Sequence, residues 1–190
     1  MKPITTTLNE IRSHEPCSDG WEKLLKSLGK TKADDEPLEL VTILESNDIA
    51  DAVWCLGCLS EDHEYLVRLF ACACAESVLH LYENEYPEDF RVRNCIETSK
   101  KYALGLYDDA TWATTLTAAG AITLTAAGAA AWATTRAAAG TAAWATARAA
   151  AGAVCDATVR DAEEEKQTVF FKEYFGSPKT IEEYKTLLTK

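Results

Sequence analysis

The spacing of apolar residues along the chain predicts helices almost throughout. Leu8 and Ile11 mark the inward side of a short helix over 4–13. Trp21, Leu24, Leu25 and Leu28 form one face of a helix over 21–28, capped by Ser18 or Asp19 and stopped by Gly29. A polar loop follows at 30–36, and Pro37 opens a helix made broadly apolar by Leu38, Leu40, Val41, Ile43 and Leu44. Asn47 or Asp48 begins the next helix, over 49–59, which carries Val53, Trp54 and Leu56. Ser60 caps a long helix over 62–82, with Val67, Phe70, Cys74, Val78 and Leu81 along one side. Pro87 opens a helix that reaches Leu104 and ends at Gly105. Near the C-terminus, one helix spans 162–175 and stops at Gly176. Another starts at Ser177-Pro178 and carries Ile181, Tyr184, Leu187 and Leu188. Short connections favour antiparallel neighbours. The expected fold is all-α, either a helical bundle or a short solenoid of helical hairpins.

Between 110 and 160 the pattern changes to a period of four. Trp112, Leu116, Gly120, Leu124, Gly128, Trp132, Arg136, Gly140, Trp144, Arg148, Gly152, Asp156 and Arg160 fall in one column, and mostly Ala and Thr lie between them. The second half repeats Trp-x3-Arg-x3-Gly, at Trp132/Arg136/Gly140 and Trp144/Arg148/Gly152. Ala is the best helix former, whereas each internal Gly costs about 1 kcal/mol. A step of four overshoots the helical turn by about 40°, so the column winds around the axis. The pattern therefore predicts short Ala-rich helices packed tightly as a hairpin or stack. One or two long helices wrapped by the rest of the chain are the alternative. Three regions result: an acidic helical region at 1–109, the repeat helices at 110–160 and C-terminal helices at 161–190. A length of 190 residues suits their union in one compact unit.

Charge adds a constraint. The net charge is −11, and residues 1–109 carry it, with 22 acids against 11 bases. Between Ala110 and Cys155 the only charges are Arg136 and Arg148. Such a balance argues against direct nucleic-acid binding, which needs cations opposite phosphate. It suits a basic protein surface as partner. The N-terminus lacks a basic-then-apolar leader pattern. The repeat is too rich in Thr, Gly and Arg to span a bilayer. An odd number of Cys, seven, scattered over predicted helices indicates reduced thiols and a cytoplasmic protein.

Candidate chemistry is sparse. Cys55-x2-Cys58 and Cys72-x-Cys74 could supply four zinc thiolates or a redox pair, but they sit inside apolar helical runs as buried small hydrophobes would. Cys72 and Cys74, two apart on a helix, point to different sides. His14, His63 and His80 lack any metal-ligand spacing. His63 is expected near a helix start in solvent and His80 half-buried. No G-x-S-x-G, P-loop or G-x-G-x-x-G occurs. The expectation is a non-enzyme without a cofactor. Its candidate partner contacts are Trp112, Trp132, Arg136, Trp144 and Arg148, of the residue types that dominate binding hot spots. Two acidic runs join them: Asp34, Asp35 and Glu36, and Glu163, Glu164 and Glu165. The runs either mimic phosphate or are solvated ends, the second lying near a helix start where acids suit the dipole. For the Trp and Arg set, the competing role is packing between repeat helices.

Four stretches together carry a resemblance: Arg68-Leu-Phe-Ala-Cys-Ala-Cys-Ala, Ile96-Glu-Thr-Ser-Lys-Lys-Tyr-Ala-Leu-Gly, the Trp/Arg repeat, and Glu164-Glu-Lys-Gln-Thr-Val-Phe-Phe. Over roughly residues 20–175 the chain resembles the Ala-rich immunity-type proteins of phages and bacteria. That resemblance implies an all-helical protein with structural motifs and no catalytic residues. The chain departs from the pattern with Thr where such repeats have Ala, and with Leu116 and Leu124 where Trp or Arg is usual. In small size, acidity and lack of a catalytic set it is also similar in character to the phage anti-CRISPR inhibitors, without shared motifs. The resulting expectation is a phage-type inhibitor that binds a nucleic-acid-guided host defence effector in the host cytoplasm. The alternatives are an immunity protein that neutralises a bacterial toxin by direct binding, a self-assembling homo-oligomeric module, and a small metal or thiol enzyme.

Overall fold

Among the described residues, eight helices pack together as a bundle, with one short two-stranded pairing. The computed structural model describes residues 1–108, 110–111 and 157–189. The repeat, with Trp112, Trp132, Arg136, Trp144 and Arg148, lies outside the described residues.

The chain begins with strand β1 (Thr5–Thr6), not with a helix at residue 4. The Thr7 hydroxyl accepts a hydrogen bond from the Glu10 amide at 3.0 Å, which caps helix α1 (Leu8–Ser13) and fixes its start. Leu8 and Ile11 face inward, as their spacing predicts. Helix α2 (Ser18–Ser27) follows, with Cys17 at its cap position and no side-chain cap bond from Ser18 or Asp19. Gly29 ends that segment at φ +65°, a left-handed conformation open to Gly.

Pro37 does not open a helix. Strand β2 (Leu38–Glu39) pairs antiparallel with β1, Thr5 opposite Glu39 and Thr6 opposite Leu38. β-branched Thr favours this extended pairing. Helix α3 (Leu40–Ser46) starts only after it. Helix α4 (Ile49–Trp54) is capped by Asp48, whose Oδ1 accepts from the Asp51 amide at 2.9 Å. The expected helix over 49–59 tightens after Trp54 into a 3₁₀ turn, Cys55–Cys58.

Helix α5 (Glu64–Glu85) runs through the middle. Leu66, Val67, Phe70, Ala71, Cys74 and Val78 are buried in the main core, while Cys72, Ala75, Leu79 and Tyr82 enter a second cluster. A helix buried on several sides is apolar all round. That explains why the segment Glu61–Asn84 is also long and apolar enough to cross a membrane. Two-thirds of that stretch lies inside the fold, and its apolar surface faces other helices. Leu81, expected inward, is 39% exposed, and Tyr82 is buried instead.

Helix α6 (Arg91–Ala103) lays the stripe Val92, Cys95, Ile96, Ser99 against α5 and ends before Gly105 at φ +68°. Helix α7 (Ala157–Phe171) is already running at residue 157, ahead of the expected start at 162. Its last turn widens into a π-turn, Lys172–Gly176. Helix α8 (Ile181–Leu188) has a full capping box between Thr180 and Glu183.

The C-terminal elements complete the core of the N-terminal ones. Phe171, Phe175 and Tyr184 sit in the same cluster as Ile4, Leu40 and Phe70. Phe70 meets Phe171, Tyr174 and Phe175 edge-on, at centroid separations of 5.8, 6.4 and 5.6 Å. Each fully buried Phe is worth about 1.5–3 kcal/mol in burial alone. The Ile4 amide donates to the Phe175 carbonyl at 2.8 Å, and the Leu40 amide donates to the Ile4 carbonyl at 3.1 Å.

Candidate functional site

The acidic run in the first loop is tied down. Lys30 Nζ lies 2.6 Å from Asp34 Oδ2 and 2.7 Å from Glu36 Oε2. The Lys30 ammonium holds the Asp34 carboxyl below its usual range. Asn9 donates its side-chain amide to Asp35 Oδ1 at 2.8 Å, and its backbone amide to the Asp34 carbonyl at 3.0 Å. The loop is a clamp on α1 and Lys30, with part of its charge already neutralised.

The second run splits between core and solvent. It lies within α7 rather than at a helix start. Glu163 turns inward and is buried, accepting from the Ser77 hydroxyl, with Lys166 Nζ 3.3 Å from its other oxygen. Glu164 and Glu165 face solvent. A single helix cannot point three consecutive residues the same way.

The histidines and cysteines distribute as follows. His63 is half-buried in the 3₁₀ turn Glu61–His63 that leads into α5, with Nδ1 3.2 Å from the Ser60 hydroxyl. His80 is exposed rather than half-buried. Cys74 lies in the main core and Cys72 in the second cluster, on different sides of α5. Among the described residues no group of three or more His, Cys, Asp or Glu is placed to hold a metal ion, so the two Cys pairs do not form one ligand set.

Among the described residues, a pocket of about 290 Å³ lies between the α1–α2 turn and helices α2, α3 and α4. Its apolar walls include Ile11, Trp21, Leu24, Ile43 and Trp54, and its polar end is Asn47 and Asp51. Trp21 also meets Arg12, whose guanidinium lies 5.4 Å from the indole centroid. Asn47 organises the polar end. Its side-chain amide donates to the Gly20 carbonyl at 2.9 Å and to Asp51 Oδ2 at 2.8 Å. Its Oδ1 accepts from Ser46 at 2.8 Å, and its backbone carbonyl accepts from Lys23 at the same distance. Asp51 comes so close to α2 that a Cβ on Gly20 would stand 2.9 Å from Oδ2. The carboxylate therefore rests against the first turn of α2, where the helix dipole favours a negative charge.

An apolar cleft with a few fixed polar groups is the usual form of a binding site. Its volume fits a side chain or a small ligand. The pairing of indole walls with a carboxylate suits a cation on an apolar stem. The sequence pattern does not single out Asn47 or Asp51 for this role. Asn47 reads as a helix-start residue and Asp51 is not marked by the spacing; the signal lies in their meeting Gly20 across the fold. Trp21 and Trp54 read as core residues, although Trp54 is only half-buried.

No family model, curated protein or solved structure matches this chain.

Proposed function

We propose that this chain is a non-enzymatic inhibitor that binds a basic protein surface, with a nucleic-acid-guided host defence effector as its partner, in the manner of a phage anti-CRISPR protein. One arrangement supports this reading most. The Asp51 carboxylate stands at the polar end of the Trp21/Trp54 pocket, within a region of 22 acids and 11 bases. A Lys or Arg of the partner would lay its methylenes along the indoles and set its charge against Asp51. Surfaces that hold guide or target nucleic acid present such cations in number. Glu15, Asp19 and Glu22 flank the pocket residues in sequence, are exposed, and form no ion pair among the described residues. Their charge remains available for steering a basic partner. The mechanism is occlusion: the acidic chain covers cations that nucleic acid would otherwise contact.

The test is target cleavage by a purified effector complex, with and without the chain. The triple change Asp19→Lys, Glu22→Lys, Asp51→Asn lowers inhibition at least about tenfold, and added salt weakens the native inhibitor. Undiminished inhibition by the altered chain, or none by the native one, overturns the reading. The resemblance of residues 68–75 and 96–105 to immunity-type proteins supports a second reading, direct neutralisation of a toxin. Rescue of toxin-expressing cells, without effect on the defence complex, would favour it.

A further inference from the structure

We propose that Cys55 and Cys58 form a thiol–disulfide site, a dithiol that a small hydroperoxide converts to an intramolecular disulfide. The proposal does not rest on the binding role above, although Cys55 lines the same pocket.

The geometry comes from the 3₁₀ turn Cys55–Cys58. With three residues per turn, side chains at i and i+3 eclipse, so the two thiols stand on the same side. Three residues at a 3₁₀ rise place the Cα atoms about 6 Å apart, within the range that a disulfide bridges without backbone movement. Both thiols are free.

Access is restricted but present on both sides. Cys55 lines the Trp21/Trp54 pocket. Cys58 lines a separate groove of about 390 Å³, with Thr6, Glu10, Ser60 and His63. The residues are only 4% and 5% exposed, so a small neutral oxidant reaches them where a bulky thiol reagent does not. Cys72 and Cys74 lie wholly inside the core, and burial pushes the Cys72 thiol up to about 12. Those thiols are chemically inert by comparison.

The pair is also polarised. The neighbouring Cys55 thiol holds the Cys58 thiol below its usual range, against the effect of burial and with help from the charge of His14. The neighbouring Cys58 and burial push the Cys55 thiol upward. Cys58, which lines the larger of the two openings, is the attacking sulfur. Its thiolate attacks one peroxide oxygen, the O–O bond breaks, and the departing oxygen takes a proton and leaves as water or an alcohol. Cys58 is left as a sulfenic acid. The Cys55 sulfur then attacks Cys58, the S–S bond forms, the S–O bond breaks, and the hydroxyl leaves as water with the Cys55 proton. Two thiols lose two electrons and two protons, and the hydroperoxide is reduced.

The experiment uses the full chain with Cys17→Ser, which removes an exposed thiol. The chain is treated with hydrogen peroxide, alkylated in denaturant and mapped by mass spectrometry. The expected result is loss of two hydrogens, a peptide linked from Cys55 to Cys58, and reversal by dithiothreitol. With Cys55→Ser added, a sulfenic acid trapped by dimedone appears at Cys58. Two results overturn the proposal. In one, both thiols stay alkylatable at doses that oxidise Cys17 of the native chain. In the other, Cys58 passes to sulfinic acid without a cross-link. The native pair decides the matter even if a variant fails to fold.

Discussion

The Ser77 hydroxyl donates to the buried carboxylate of Glu163, 86 residues further along the chain. This bond joins α7 to α5 through a group that is 2% exposed. A buried carboxylate that loses a hydrogen-bond donor costs about 1–3 kcal/mol. Ser77→Ala is expected to lower unfolding free energy by that amount in urea titration. Glu164→Gln and Glu165→Gln, on the solvent side, are expected to stay within about 0.5 kcal/mol of the native chain. Equal effects at all three positions would contradict the inward placement of Glu163.

Phe70 touches three aromatic rings from the C-terminal segment. Phe70→Ala and Phe175→Ala each remove a fully buried ring, at a cost of about 3–5 kcal/mol. Because the rings are in contact, the double variant should lose less than the sum of the singles. Strict additivity in thermal or chemical denaturation would show that the rings do not pack on one another.

Gly20 and Asp51 meet at the wall of the pocket. Ala is favoured over Gly in a helix by about 1 kcal/mol. At position 20, however, the new Cβ would come within 2.9 Å of Asp51 Oδ2 and 3.2 Å of Cys17 Sγ. Asp51 cannot swing away without giving up the Asn47 bond. Gly20→Ala is therefore expected to destabilise the native chain but to stabilise the Asp51→Ala background. Denaturation midpoints of the four variants decide it, and a stabilising Gly20→Ala in the native chain would refute the contact.

Much of this architecture is legible from residue spacing, because one-sided apolar stripes specify helices. Leu8 and Ile11 in α1, Trp21 and Leu24 in α2, and Val92, Cys95 and Ile96 in α6 are of this kind. The misread places are those where a distant residue decides. Leu38 and Glu39 have helical neighbours but pair with Thr5 and Thr6. Glu163 sits in an acidic run, and only the approach of Ser77 from α5 explains its burial. The candidate pocket was the least legible. Asn47 carries an ordinary helix-start signal and Asp51 none of its own, and their convergence on Gly20 belongs to the tertiary fold.

Alkaline pH offers another check. Burial, with a 2.6 Å hydrogen bond to Asp89, pushes the Tyr82 phenol up to about 12. Burial pushes Tyr184 to about 12 as well. An ordinary phenol ionises near pH 10. The fold favours the neutral form, so this stabilisation is complete below about pH 10 and is lost as pH rises through about 12. The denaturation midpoint should fall across that window, and the double variant Tyr82→Phe, Tyr184→Phe should flatten the fall. Among the described residues the Tyr184 hydroxyl has no hydrogen-bond partner. Tyr184→Phe alone should accordingly cost little at neutral pH. An unchanged alkaline slope in the double variant would assign the loss to other groups.

The backbone bond from Ile4 to Phe175 has a consequence for the order of synthesis. A ribosome makes β1, α3 and α5 well before it makes the aromatic face that covers them. Until Phe171 and Phe175 emerge, Phe70 and Leu40 have no lid, and the nascent chain holds an open apolar surface. Native structure therefore arrives late, and the waiting helices are the segment a chaperone would meet.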